Sequence, residues 1–256
     1  MVVAVVVAGV VVYVARQQRT LSRSGAAAGF VVGVLCTTAG MGWGILLVTL
    51  FITANVLSRY RHSVKEARIG DLVKKGGERD AWQVAANGGT FTAFALASLV
   101  HPSWIWFPLG AGAIAAATAD TWATEIGTLA SRPPKLITTG KVVPTGTSGA
   151  VTWIGTFASV AGAIFIGVVA LMVGWGPAAA WAAVAGGIAG SLVDSLVGAT
   201  AQRRQWCDVC DKPTERLVHS CGTTTRTQGG IGWVDNDVVN AISSLTGAVV
   251  GSIWLW

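Results

Sequence analysis

The sequence predicts an all-α, polytopic membrane protein of about eight transmembrane helices, and three observations carry that expectation. Hydrophobic residues make up 52% of the 256, against 12% charged. The apolar residues fall in long blocks along the whole chain rather than in alternating or helical-period patterns, which is the composition of a bilayer-embedded bundle. Finally, every Lys and Arg falls in a few short segments between those blocks. A net charge of +6 on one continuous surface would suit nucleic acid, but this distribution excludes that partner and acts as an orientation signal.

The first block, MVVAVVVAGVVVYVA, has no basic region before it and no small-residue cleavage site followed by a polar chain. It therefore reads as a retained, short first span and not as a removed signal peptide. The eight spans are expected at 1–15, 24–40, 41–57, 82–101, 104–129, 148–173, 177–201 and 237–256. Most approach the roughly 20 residues that a bilayer core requires. The glycine-rich segment 24–57 also admits one tilted helix plus a re-entrant piece, which would make seven spans. A single integral-membrane domain over 1–256 follows, with residues 202–236 forming a Cys/His loop within it.

The segments 16–23, 58–81, 130–147 and 202–236 hold three, seven, three and five basic residues, all eighteen in the chain. The alternate connections, around Gly40, HPSW and GWGP, hold none. This segregation predicts an even number of spans, both termini outside and the four long loops in the cytoplasm. A prokaryotic cytoplasmic membrane is the expected location, with the active site on its cytoplasmic side.

Of twelve acids, Asp120, Glu125 and Asp194 lie inside expected spans, where no Lys or Arg accompanies them. An ionised side chain in hydrocarbon costs at least about 2.5 kcal/mol, so such residues are protonated, hold something positive, or serve transport. At roughly 100° per residue, Thr118, Asp120, Thr121, Thr124, Glu125 and Thr128 share one arc of the fifth span. Gly187, Ser191, Asp194, Ser195, Gly198 and Gln202 repeat the design in the seventh. Gln83, Asn87 and Thr90 do so where the fourth span begins, and Asp237, Asn240, Ser244 and Gly247 where the eighth begins. For the hydroxyls and glycines, including Gly186-x-x-x-Gly190, ordinary helix packing suffices. It does not account for the carboxylates.

The loop at 130–147 sets Arg132, Lys135 and Lys141 beside the run Thr145, Gly146, Thr147, Ser148 and Gly149, which is expected to open the sixth span. Backbone N–H groups at a glycine-rich helix start can cradle phosphate, although no Walker A pattern is present. Further on, Cys207, Cys210, His219 and Cys221 form C-x-x-C-x8-H-x-C. In a reducing compartment this is a candidate structural zinc site before it is a disulfide. Cys36, alone in an apolar span, reads as packing. Asp235, Asn236, Asp237 and Asn240 crowd the start of the last span; one of them suffices for capping, and the set suits Mg2+ that also carries phosphates.

In order, GGERDAWQVAANGG, ADTWATEIG, GTSGAVTWIG, AGSLVDSLVGATAQ, CDVC…TE…HSCGT and GWVDNDVVN resemble the successive motifs of an integral-membrane family long catalogued as a domain of unknown function. That family includes the plastid phytyl-phosphate kinase of tocopherol biosynthesis and an uncharacterised animal transmembrane protein. The resemblance runs from about residue 25 to the end, with Thr124 where the family usually has serine. It implies phosphoryl transfer from a nucleoside triphosphate, CTP or similar, to an isoprenyl monophosphate such as phytyl or geranylgeranyl phosphate. The implied site residues are Asn87, Asp120, Glu125, Asp194, Asn236 and Asp237.

Phosphoryl transfer needs positioning and charge neutralisation more than covalent catalysis. The expectation is therefore that Asp120, Asp194 and Asp237 hold Mg2+ and that Glu125 orients a ligand or a second metal. Arg132, Lys135, Lys141 and the Thr145–Gly149 backbone would hold triphosphate. Asn87, Asn236 and Asn240 would contact phosphate or nucleotide. An ion-coupled transporter and a CTP-dependent lipid alcohol kinase or cytidylyltransferase are the competing readings.

Overall fold

The computed structural model describes residues 1–70, 72 and 77–253. Eight long helices fall where the eight spans are expected: α1 (Val2–Gln17), α2 (Arg23–Ala39), α3 (Met41–Arg59), α5 (Ala81–Val100), α6 (Trp106–Gly127), α7 (Trp153–Met172), α8 (Gly176–Thr200) and α9 (Asn236–Ser252). The 24–57 segment is two helices joined at Gly40. By length and hydropathy alone α3, α7 and α8 can each cross a membrane, while α1 and α2 are apolar but shorter. The expected end of the last span, 254–256, and two basic residues of the 58–81 loop, Lys74 and Lys75, lie outside the described residues.

The helix starts separate the two ends of the bundle. Ser22, Asp80, Thr152 and Asp235 cap α2, α5, α7 and α9 through side-chain oxygens, and Asp80 forms a reciprocal capping box with Gln83. Starts of α3, α6 and α8, at the other end, have no side-chain cap. All four long connections meet at the capped end. Arg79 N–H donates to Thr20 at 2.9 Å, Arg68 donates to the Ala130 carbonyl at 2.9 Å, and Glu215 N–H donates to the Leu72 carbonyl at 2.8 Å. The opposite end is closed by rings, with Trp43 centred 4.6 Å from Trp175 and 5.0 Å from Phe91.

α6 is the central helix, packed by α3, α5, α7, α8 and α9. Its stretch Gly110–Ala119 is buried on every side, as its run of Gly and Ala around the whole helix requires. Where α6, α8 and α9 cross, only small residues fit: a methyl group on Gly186 would lie 2.1 Å from the Gly247 carbonyl oxygen. Ser243 and Ser244 donate across this crossing to the carbonyls of Gly190 (2.9 Å) and Ala113 (3.1 Å). The small-residue stripe is thus a helix contact made of close backbones and interhelical hydrogen bonds.

Three features differ from the expected all-helical plan. A short helix, α4 (His62–Ile69), interrupts the second basic segment, 58–81. Two small sheets sit in and beside the last two basic segments: β1 (Lys135–Leu136) pairs with β2 (Ala150–Val151), and β3 (Arg204–Cys207) lies between β4 (Lys212–Thr214) and β5 (Arg226–Gly229), all antiparallel. As a result the sixth long helix starts at Trp153 and not at 148. Thr152 caps it, accepting from Gly155 N–H at 3.1 Å, and β2 occupies the residues before the cap. The Thr145–Gly149 run is therefore a loop ahead of the helix, and its backbone is not a helix N-terminus.

Candidate functional site

At the capped end the helices part around a cavity of about 280 Å³. It is lined by Gln83 at the start of α5, by Asp120 and Thr124 on α6 and Thr128 at its end, and by Thr152, Gly155, Thr156 and Ser159 at the start of α7. Ser191, Asp194 and Ser195 of α8, Asp235 to Asp237 at the start of α9, the loop Thr145–Gly149, and Glu215 complete the wall. Five carboxylates therefore line one cavity, and among the described residues lining it there is no Lys, Arg or His.

Helix geometry builds its deepest part. Asp120 lies one turn beyond Ala116 of the buried run of α6, and Asp194 one turn beyond Gly190 of α8, against which Ala116 packs, so the close α6–α8 crossing brings both to one place. Their carboxyl groups lie against each other, and Glu215 stands near enough for its charge to act on Asp194. The Oδ2 atom of Asp194 is buried without a hydrogen-bond partner. An acceptor oxygen left so costs on the order of 1–3 kcal/mol unless something positive or protonated meets it. The threonines are less available: Thr118, Thr121 and Thr128 donate to carbonyls one turn back at 2.7–2.8 Å. Asp235 spends one oxygen on capping α9, accepting from Asp237 N–H at 3.2 Å and Val238 N–H at 3.3 Å.

Glu125 stands apart. It faces α4, where the Lys65 ammonium contacts its carboxylate; Lys65 is 8% exposed in its side chain and Glu125 20%. The expectation that the intramembrane acids lack a basic partner is therefore corrected for Glu125, because α4 folds back onto the bundle and delivers one. Arg68 of the same helix donates to the Thr128 carbonyl at 2.6 Å, closing the end of α6.

The remaining expected residues divide. Asn236 and Asp237 line the cavity, as does the run Thr145–Gly149. Asn87 is turned to its own helix, donating to the Gln83 carbonyl at 2.9 Å, and neither it nor Asn240 is in the lining. Arg132, Lys135 and Lys141 are exposed on the hairpin that carries β1. The residue that sequence reasoning passed over is Glu215, visible only as the acid of the …TE… step in the Cys/His motif. Its carboxylate accepts from Gln202 Nε2 at 3.0 Å and from Ser148 Oγ at 3.4 Å.

Beyond the cavity, Cys207, Cys210, His219 and Cys221 place one donor atom each within 4.8 Å of one another. Cys207 and Cys221 sulfurs are 3.6 Å apart, and His219 Nδ1 lies 3.3 Å from Cys221 Sγ. The three cysteines are free thiols. Hydrogen bonds from Thr223 and His219 hold the Cys221 thiol down to about 6, and its hydrogen bond with Cys221 pushes Cys210 up to about 11.

A family model described as "Integral membrane protein DUF92" matches residues 6–248. The chain is 31% identical to Protein PGR of Arabidopsis thaliana, over 98% of this chain and 94% of that one. It is 31% identical to an uncharacterised membrane protein of Methanocaldococcus jannaschii, over 97% and 92%. Against "Protein VTE6, chloroplastic" of Arabidopsis thaliana it is 29% identical over 90% of this chain and 64% of that one. No solved structure matches. These relatives include a chloroplast protein as well as an archaeal one, so the expectation of a prokaryotic cytoplasmic membrane reduces to that of an integral membrane protein.

Proposed function

The chain belongs to the DUF92 integral membrane family, and we propose that it is a prenyl-phosphate kinase, moving a phosphoryl group from a nucleoside triphosphate, CTP or similar, to an isoprenyl monophosphate. The observation that carries the reading is the close apposition of Asp120 and Asp194, with one buried Asp194 oxygen unpartnered. Packing gains nothing from two carboxyl groups at a helix crossing. A hard divalent cation would account for the pair, since carboxylate oxygens are the donors that Mg2+ takes. Asp120, Asp194 and Asp237 would hold it, and the ion would neutralise charge on the phosphates as they react.

The protein's own part is positioning. An oxygen of the acceptor monophosphate forms the new bond to the γ-phosphorus, the bridging bond from that phosphorus to the β-phosphate oxygen breaks, and nucleoside diphosphate leaves. The acceptor is already ionised at neutral pH, so no side chain has to remove a proton. The Thr145–Gly149 loop and Asn236 face the phosphates, and Lys135, Lys141 and Arg132 on the exposed hairpin attract the nucleotide. The prenyl chain lies along α7, where Thr156 and Ser159 line the cavity while Trp153 and Phe157 face outward. Glu125, held by Lys65, secures α4 in this scheme and does not touch the phosphates.

The deciding assay gives purified protein labelled CTP, GTP or ATP with Mg2+ and a panel of prenyl alcohols and monophosphates. Label is expected in a prenyl diphosphate. Absence of transfer to every acceptor, with Na+- or proton-dependent flux in liposomes, overturns the kinase in favour of a transporter. Transfer to alcohols alone moves the activity to a lipid alcohol kinase.

A further inference from the structure

The Cys/His module is hard to explain by hydrophobic burial. Of the described residues between Arg203 and Asp235, the buried side chains are Gln205, Cys207, Thr214, His219 and Val234, only one of them a hydrocarbon side chain. Leu217, Val218 and Val209 are exposed. Its strands have four, three and four residues. A unit this small, with so little apolar core, needs a cross-link or a metal to hold one conformation. The cysteines are free, so no disulfide supplies it.

A tetrahedral zinc with Zn–S bonds of about 2.3 Å places its sulfurs roughly 3.8 Å apart, close to the separation of Cys207 and Cys221. The donors come from two hairpins: Cys207 ends β3 and Cys210 sits in the turn to β4, while His219 and Cys221 lie in a second hairpin closed by the His219 N–H to Thr223 carbonyl bond of 2.9 Å. A second sign is His219 itself, which is 4% exposed in a module with almost no apolar core and turns its Nδ1 onto Cys221 Sγ at 3.3 Å.

The module also reaches the cavity. Cys207 pairs with Lys212 and Gln205 with Thr214 across β3 and β4, so the position of the cysteines sets that of Thr214. Glu215 follows directly and lines the cavity beside Asp194. We propose that Cys207, Cys210, His219 and Cys221 hold one zinc ion, and that this ion, by fixing β4, holds Glu215 against the acidic cavity and so sets the cavity's affinity for a divalent cation. The second half rests on the reading of the cavity as a divalent-cation site. Glu215 is on this account a positioning residue or an added ligand for the cavity ion, carried in by a separate metal.

The experiment measures two metals on the same detergent-purified full chain. Elemental analysis is expected to find one zinc per chain in the wild type and in Glu215→Gln, and none in Cys207→Ser/Cys221→Ser. Co2+ exchanged into the wild type should show the absorption of tetrahedral thiolate coordination, which needs no variant to fold. Mn2+ titrated into the cavity and read by electron paramagnetic resonance should bind roughly tenfold to a hundredfold more weakly in both variants, the range for losing a supporting group at a metal site. Wild-type protein without zinc, and without a Co2+ spectrum, overturns the zinc site. Unchanged Mn2+ affinity in the zinc-free variant overturns the coupling. No Mn2+ binding by the wild type overturns the cation reading of the cavity, and the coupling with it, while the zinc content still decides the cluster separately.

Discussion

Lys65 reaches from the short surface helix α4 into the flank of α6 and meets Glu125, a carboxylate sixty residues further along the chain. Because the pair is mostly buried, removing one partner strands the other. Lys65→Met is expected to cost about 3 kcal/mol, seen as a lowered melting temperature in detergent, since an unpaired buried charge is left behind. Adding Glu125→Leu to it should restore most of the loss. A double variant no better than the single would show that the pair is not what holds α4.

Asp120 and Asp194 should behave in the opposite way. Two carboxyl groups set against each other, one with an unpartnered oxygen, are poorly satisfied without a cation, so Asp194→Asn is expected to leave the metal-free protein as stable as the wild type or more so. The same change should lower phosphoryl transfer at least about a hundredfold, the scale for removing a group that stabilises transition-state charge. Added Mg2+ is expected to stabilise the wild type and not the variant, a linkage effect that requires binding to the folded state. Differential scanning fluorimetry with and without Mg2+ reads the two stability outcomes, and the labelled-nucleotide assay reads the transfer.

What could be read from the sequence follows from how local each signal is. The long helices are legible because each one's apolar run is written in its own residues, and α6 advertises its burial by having Gly and Ala on all sides. α4 is not, since eight residues rich in charge carry no apolar run, and its anchoring depends on Glu125 across the fold. The start of α7 is misjudged because β2 pairs with β1, fifteen residues earlier. In the site, Asp120, Asp194 and Asp237 stand out as acids against their surroundings, whereas Glu215 becomes significant only when the Cys/His module folds and turns it inward. Arg132, Lys135 and Lys141 are near the Thr145–Gly149 loop in sequence, yet the hairpin holds them out in the open.

The crossing of α6, α8 and α9 gives a test of packing that leaves the acids alone. Gly186→Ala would force a methyl group to 2.1 Å from the Gly247 carbonyl oxygen, so the helices must separate, at a cost of about 1–3 kcal/mol. Gly89→Ala, with nothing within 4 Å of the added carbon, should instead stabilise α5 by up to about 1 kcal/mol through helix propensity alone. Thermal unfolding of the two variants should move in opposite directions.

Gly149 joins the Thr145–Gly149 loop to the end of α8. Its φ is +75°, and a Cβ there would come within 2.3 Å of the Ala199 backbone nitrogen, so Gly149→Ala must push the loop away from α8. No polar group is lost, so any effect on catalysis comes from displacement of the loop. Gly140 offers the matched control: its φ is +68°, so alanine meets the same backbone strain of about 1–2 kcal/mol, but nothing lies within 4 Å and the residue sits on the exposed hairpin. Both variants should therefore lose comparable stability from strain, with Gly149→Ala losing more from the clash. Only Gly149→Ala should raise the KM for the nucleotide, by roughly tenfold if a misplaced loop forfeits about 1.4 kcal/mol of binding. Equal kinetic effects in the two would remove the loop from the nucleotide site and leave the carboxylates to hold the phosphates without it.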